Sequence, residues 1–170
     1  MPDTNACAVP KSEQKLRNRR RRGSEILEIA LISGPLFGLT FLLVDLSMAV
    51  FLRSTFQNAV RAGVRYAITG ANTSGPCQDD SIKTVVKQQA LGFLNNTAAA
   101  SKIHVRWINP IAGGQGNNAY GNIVEVSIEG YNYGPMAPFR RLNFPVTLWA
   151  RAYDVMEAVP GGLPCITNPE

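Results

Sequence analysis

The sequence predicts an α+β fold: a long N-terminal helix, apolar in its first half and amphipathic in its second, a second short helix, and an antiparallel sheet of three or more strands packed on them. Three observations predict it. Ile29–Leu52 is apolar except for Asp45 and a few small polar residues. Arg53, Gln57, Arg61 and Arg65 then recur at every fourth position, which draws a polar stripe along a continuing helix. Three later segments alternate apolar and polar residues with the period of a half-buried strand.

The first helix is preceded by a basic stretch. Residues 1–22 carry seven basic and two acidic side chains, a net of +5, whereas residues 23–170 balance at ten of each. The surplus charge of the chain therefore lies upstream of Gly23. No basic surface remains for nucleic acid once that stretch is set aside. Ile29–Leu52 is 24 residues, and about 20 cross a bilayer core. Arginines on one side alone put the N-terminus in the cytoplasm and everything after Leu52 outside. The organisation expected is a basic cytoplasmic leader over 1–23, a transmembrane helix over 24–52 and an extracytoplasmic head over 53–170, with membrane lipid as the first partner.

Two carboxylates stand out in this segment. Glu28 lies near the inner end of the span and Asp45 about two turns from the outer end, and a charge at the centre of a membrane costs roughly 2.5–3.5 kcal/mol on insertion scales. Both can reach an interface, and Glu28 can also acquire a cationic partner in an assembly of chains. Ser47-Met48-Ala49 has the form of a secretory cleavage site, but the apolar run is long, Asp45 precedes the site, and the helical pattern continues past it. Pro35 is placed to kink the helix. Small residues (Ala59, Ala62, Gly63, Ala67) let another layer approach closely. From Ser24 to Thr69 the helix would measure about 69 Å at 1.5 Å per residue.

Turn formers from Gly70 to Pro76 end the helix. Asp80 or Ser81 then caps a second one, with Ile82, Val85, Val86, Ala90 and Phe93 on its apolar face and Asn95-Asn96 at its end. The strands are Lys102–Ile108, Asn122–Tyr133 and Asn143–Val155. The third places Phe144, Val146, Leu148, Ala150 and Ala152 on one face and Thr147, Trp149, Arg151 and Tyr153 on the other. The glycine-rich run Gly113–Asn118 reads as a strand connection, and the tail from Pro160 is held by Cys165.

Little here suggests catalysis. His104 is the single histidine and falls on the polar side of its strand, with no Ser in a G-x-S-x-G setting. Gly113–Asn118 lacks the Lys-Ser/Thr of a phosphate loop. Glu125 and Glu129 lie about 13 Å apart along a strand, too far for paired-carboxylate chemistry. There is no C-x-x-C and no metal-ligand spacing. No enzyme activity, cofactor or metal is expected. Asn72-Thr73-Ser74 and Asn95-Asn96-Thr97 match short glycosylation patterns. Of the three cysteines, Cys7 lies on the cytoplasmic side as a free thiol, while Cys77 and Cys165 share the oxidising side, where a Cys77–Cys165 disulfide is the natural pairing and two unpaired thiols the alternative.

Arg19–Arg22, Gly23, Glu28-Ile29-Ala30, Pro35 and Asp45, followed by a helix carrying Gln57, Ala59, Arg61, Ala62 and Ala67, resemble the type IV pilin and pseudopilin superfamily, and within it the TadE-like proteins of tight-adherence (Flp-type) pilus systems. The resemblance covers about Arg17–Gly70, with the rest agreeing in outline. Ile29 stands where the family commonly has Phe, and Glu25 is an extra acid in a usually small or apolar stretch. The resemblance implies a pilin-like fold and a non-enzymatic minor pilin or pseudopilin, cut between Gly23 and Ser24 by a prepilin peptidase. Glu28 would then pair with the new α-amine of a neighbouring subunit. The implied partners are other pilin subunits and an inner-membrane assembly platform. The alternative is an uncleaved single-pass membrane protein whose periplasmic domain binds a ligand or an envelope partner.

Overall fold

A computed structural model describes residues 11–71, 77–135, 145–158 and 164–166, without the side chains of 11–24. Helix α1 spans Lys11–Ile68, α2 Gln78–Gln89 and α3 Thr97–Ala100; the strands are β1 Ile103–Asn109, β2 Gly114–Gln115, β3 Ile123–Tyr133 and β4 Val146–Val155. α1 thus starts at Lys11, ahead of the expected Ser24. Lys11–Arg22 is built mainly of Lys, Gln, Glu, Leu and Arg, which are good helix formers, and a lone glycine such as Gly23 weakens a helix by only about 1 kcal/mol. The helix also runs on through Pro35.

The chain divides into two units, Met1–Val44 and Asp45–Glu170. Among its described residues the first is helix alone, and its large apolar side chains, from Ile26 to Val44, all lie exposed. A window of this helix is long and apolar enough to cross a membrane.

The second unit, the head, contains the remaining turns of α1. These bury one stripe, Leu52, Phe56, Ala59, Val60, Val64 and Ala67, and leave Arg53, Arg61 and Arg65 outside. The expected span of 24–52 overlaps this packing, because Leu52 is 1 % exposed and Met48 lies against the same cluster. Opposite the stripe stand the apolar faces of β1 (Ile103, Val105, Trp107), β3 (Val124, Val126, Ile128) and β4 (Leu148, Ala150). Alternation explains why one side of each strand is buried and the other is not. α2 adds Ile82 and Val86. Gly63 permits its close approach, since a Cβ there would stand 2.6 Å from Val86 Cγ2.

The sheet is antiparallel with order β2-β1-β3-β4. β1 pairs with β3 from Ile103↔Ile128 to Ile108↔Ile123. β3 pairs with β4 from Ile123↔Val155 to Tyr133↔Val146, with an irregularity between Ile128 and Tyr131. Gly130, at φ +67, supplies the left-handed backbone needed there.

Several boundaries differ from expectation. α2 begins three residues early, with Cys77 as N-cap, because the Gln78 amide donates to the Cys165 carbonyl at 2.8 Å in place of a side-chain cap. It also ends at Gln89. Leu91 (φ +52) and Gly92 (φ +86) turn the chain, and Asn96 caps α3 by accepting from the Ala98 amide. The glycine-rich connection contributes the two-residue β2. β3 and β4 begin slightly later than expected; residues 143–144 lie outside the described residues, as do the leader's first ten and the Asn72 pattern.

Cys77 and Cys165 form a disulfide. The tail has further ties beyond Cys165. The buried Asn118 donates to the Pro164 carbonyl and to Gln78 Oε1, and Gln78 Nε2 donates to the Ala67 carbonyl of α1. This network satisfies two amide side chains that burial would otherwise penalise. Asp79 similarly accepts from Trp107 Nε1 at 3.1 Å.

Candidate functional site

Two surfaces carry the candidate residues. The first is the N-terminal part of α1. Gly23 and Ser24 lie within the helix, and the Ser24 side chain is outside the described residues. Glu25 and Glu28 are exposed and three residues apart, which sets them side by side on one helix face. The hydroxyls farther along need no external partner: Ser33 donates to the Ala30 carbonyl and Thr40 to the Leu36 carbonyl. Gly34 and Gly38 are a feature missed in the sequence. They are four apart in an apolar helix, the small-x-x-x-small spacing that lets transmembrane helices approach closely. A Cβ added at either would meet nothing within 4 Å. The G-x-x-x-G spacing itself was the signal.

The second surface belongs to the head. At the end of β3 the Tyr133 hydroxyl donates to Asp45 Oδ1 at 3.4 Å. Burial, then the Asp45 charge and this hydrogen bond, raise the Tyr133 phenol above its ordinary value of 10.0. Asp45, expected as an interfacial carboxylate, is therefore tied to a strand 88 residues away. Along the polar stripe of α1, Gln57 Nε2 donates to the Arg151 carbonyl of β4, and the Arg53 guanidinium carbon lies 5.7 Å from the Trp149 ring centre. Adjoining grooves of about 510 and 480 Å³ run between α1 and β4 and share Asn58 and Arg61. Trp149 and Tyr153, 61 % and 72 % exposed, stand on the open face beside them.

That face also holds an ion-pair network. Arg106 and Arg151 each contact both Glu125 and Glu129, at 3.3–3.7 Å. The two carboxylates thus share both arginines. Partial burial pushes the Glu129 carboxyl up, but the Ser127 hydroxyl, Arg106, His104 and Arg151 outweigh it and hold it below its ordinary 4.5. His104 is half-buried on this polar side. Among the described residues, no three His, Cys, Asp or Glu side chains gather as a metal site would require.

A family model described as TadE-like protein matches residues 23–65. The match begins at Gly23 and covers the exposed apolar turns, Glu28, Asp45 and all four residues of the polar stripe. No curated protein and no solved structure matches the chain.

Proposed function

From a chain that carries a TadE-like segment over residues 23–65, we propose a minor pilin or pseudopilin that takes part in assembling a tight-adherence pilus. It sits in the inner membrane with its N-terminus in the cytoplasm and its head outside. It acts by packing against other subunits and not by catalysis. A prepilin peptidase cuts between Gly23 and Ser24, which removes the cationic leader and exposes an α-amine beside the membrane. Glu28 of one subunit neutralises that amine on another, so neither charge is left alone in a medium of low dielectric. The observation that supports this best is the start of the family match at Gly23, the boundary between the charged leader and the neutral remainder.

Trp149 and Tyr153, exposed beside the α1–β4 grooves, are the head residues proposed to meet neighbouring subunits and the assembly platform. Aromatic residues with one free face are common anchors of interfaces. N-terminal sequencing of the chain extracted from membranes tests the reading. A start at Ser24 is expected. An intact leader would point instead to the uncleaved single-pass protein, and a start at Val50 to a secreted head.

A further inference from the structure

The sheet of the head has two edges, and they are guarded unequally. At one, β2 is only two residues long. At the other, β4 runs for 10 residues and pairs with β3 alone. A long open edge is a template for another strand, and a very short one is not. Three contacts show which backbone groups of β4 point away from β3. The Met156 amide donates to the Asn122 carbonyl at the start of β3, so the backbone groups of even-numbered residues face that strand. The Arg151 carbonyl instead accepts from Gln57 Nε2 on α1, and the Val155 amide donates to Asp154 Oδ1. Odd-numbered residues therefore turn their backbone groups outward. Among the described residues, the amides of Trp149, Arg151 and Tyr153 and the carbonyls of Trp149 and Tyr153 have no hydrogen bond.

These outward groups keep step with the polar stripe of α1. Arg53 lies against Trp149, Gln57 reaches Arg151, and Arg61 and Arg65 line a groove with Tyr153. Four residues of helix rise about 6 Å. Two residues of strand rise about 6.6–6.8 Å, so the stripe and a strand beside it have nearly one period. A strand added to β4 would present every second side chain to the stripe and the others to the face of Trp149 and Tyr153. The stripe is cationic. Arg53, Arg61 and Arg65 are exposed and make no ion pair among the described residues. Asp154, which already accepts from the Val155 amide, is the acid among the described residues that line the grooves. Arg53 and Gln57 reach across the edge, and an added strand's own amide would replace the Gln57 bond to Arg151.

The geometry points to strand addition: an extended segment of a partner protein, acidic at alternate positions, pairs with the outer edge of β4 and sets its carboxylates on Arg53, Arg61 and Arg65. Main-chain hydrogen bonds supply the affinity of such a complex, and the alternating side chains its specificity. A second copy of this chain fits poorly. Two β4 edges joined antiparallel keep both helices on one face of the shared sheet and bring their arginine stripes together, and like charges set against each other across an interface are costly. The inference rests on the reading that Trp149 and Tyr153 meet neighbouring subunits, and it names the chemistry of what they meet. Leader cleavage has no part in it.

The test titrates the full chain in detergent micelles with a peptide of four Glu-Val repeats, blocked at both ends, and follows amide hydrogen exchange by NMR. Exchange at Trp149, Arg151 and Tyr153 should slow about tenfold or more at saturation, while Ala150 and Ala152, already paired with β3, change little. Arg61→Gln with Arg65→Gln should weaken binding about fivefold and leave the melting of the head in place, since both side chains are exposed. Peptide that binds without slowing exchange at these three amides would reduce the site to a charged patch and overturn the added strand. An absence of binding at millimolar peptide would overturn it too. Protection that is present without peptide and grows with chain concentration would assign the edge to a second copy instead. The underlying reading is checked separately: Trp149→Ala with Tyr153→Ala should reduce co-purification with other pilin subunits, and unchanged co-purification would remove this face from subunit contact whatever the peptide does.

Discussion

Two stretches of one helix, Glu25–Val44 and Asp45–Ile68, differ in what their apolar residues find. In the second, an apolar stripe disappears into the head and the arginines stay outside. In the first, apolar residues surround the helix and all are exposed. Hydrogen bonding is the same in both, so backbone preference does not separate them. The difference is in which surface needs a partner, and for Glu25–Val44 the proposed partners are lipid and other helices.

The sharpest way to break this comparison uses two phenylalanines. Phe56→Ala should destabilise the head by about 3–5 kcal/mol, because Phe56 is fully buried and its ring meets Tyr131 at 4.9 Å. Phe37→Ala, at an exposed position, should leave the head's thermal unfolding in detergent unchanged. Equal losses at both sites would mean that the two stretches share one packed environment.

A glycine pair gives a smaller contrast. Gly63→Ala forces a methyl group against Val86 and should cost about 1–3 kcal/mol, read from a denaturant midpoint. Gly38→Ala meets nothing and should leave that midpoint in place, changing instead the chain's self-association in membranes.

The smallest effect expected is on pH. Glu129 has a lowered pKa in the folded head, so its contribution is present above 4.5 and is lost as pH falls below that value through the folded pKa. The carboxylate is partly exposed, so solvent screens the effect. Melting curves of the head should decline on acidification, and Glu129→Gln should flatten the decline; an unchanged slope would remove Glu129 from the cause.

How much of this was readable in advance depended on the range of the interactions. Strand alternation from Ile103, Val124 and Leu148 and the four-residue spacing from Arg53 to Arg65 are local patterns with a direct geometric meaning. They located the sheet and the packed stripe. The end of α2 was not readable: Leu91 takes a conformation normally left to glycine, and Asn96, which looks like a helix stop, is a helix start. Distant ties were hidden as well. Nothing beside Asp45 indicates Tyr133, and nothing beside Asn118 indicates Pro164. Within the candidate site, Gly23, Glu28 and Asp45 stood out by charge and order. Gly34 and Gly38 were equally visible, but their spacing carries meaning only when a second helix is considered.

The disulfide has a mechanical consequence. A pull applied between α1 and the chain beyond Cys165 would travel from Ile68 to Cys77, cross the sulfur bridge, and leave at Cys165. Residues 78–164 are bypassed by that covalent route. Only the nine residues from Ile68 to Cys77 could pay out, to a total span of about 30 Å when drawn straight. A subunit loaded in this direction would stop lengthening with its sheet still folded. Reduction of the bridge would put α2 and all four strands in series with the load.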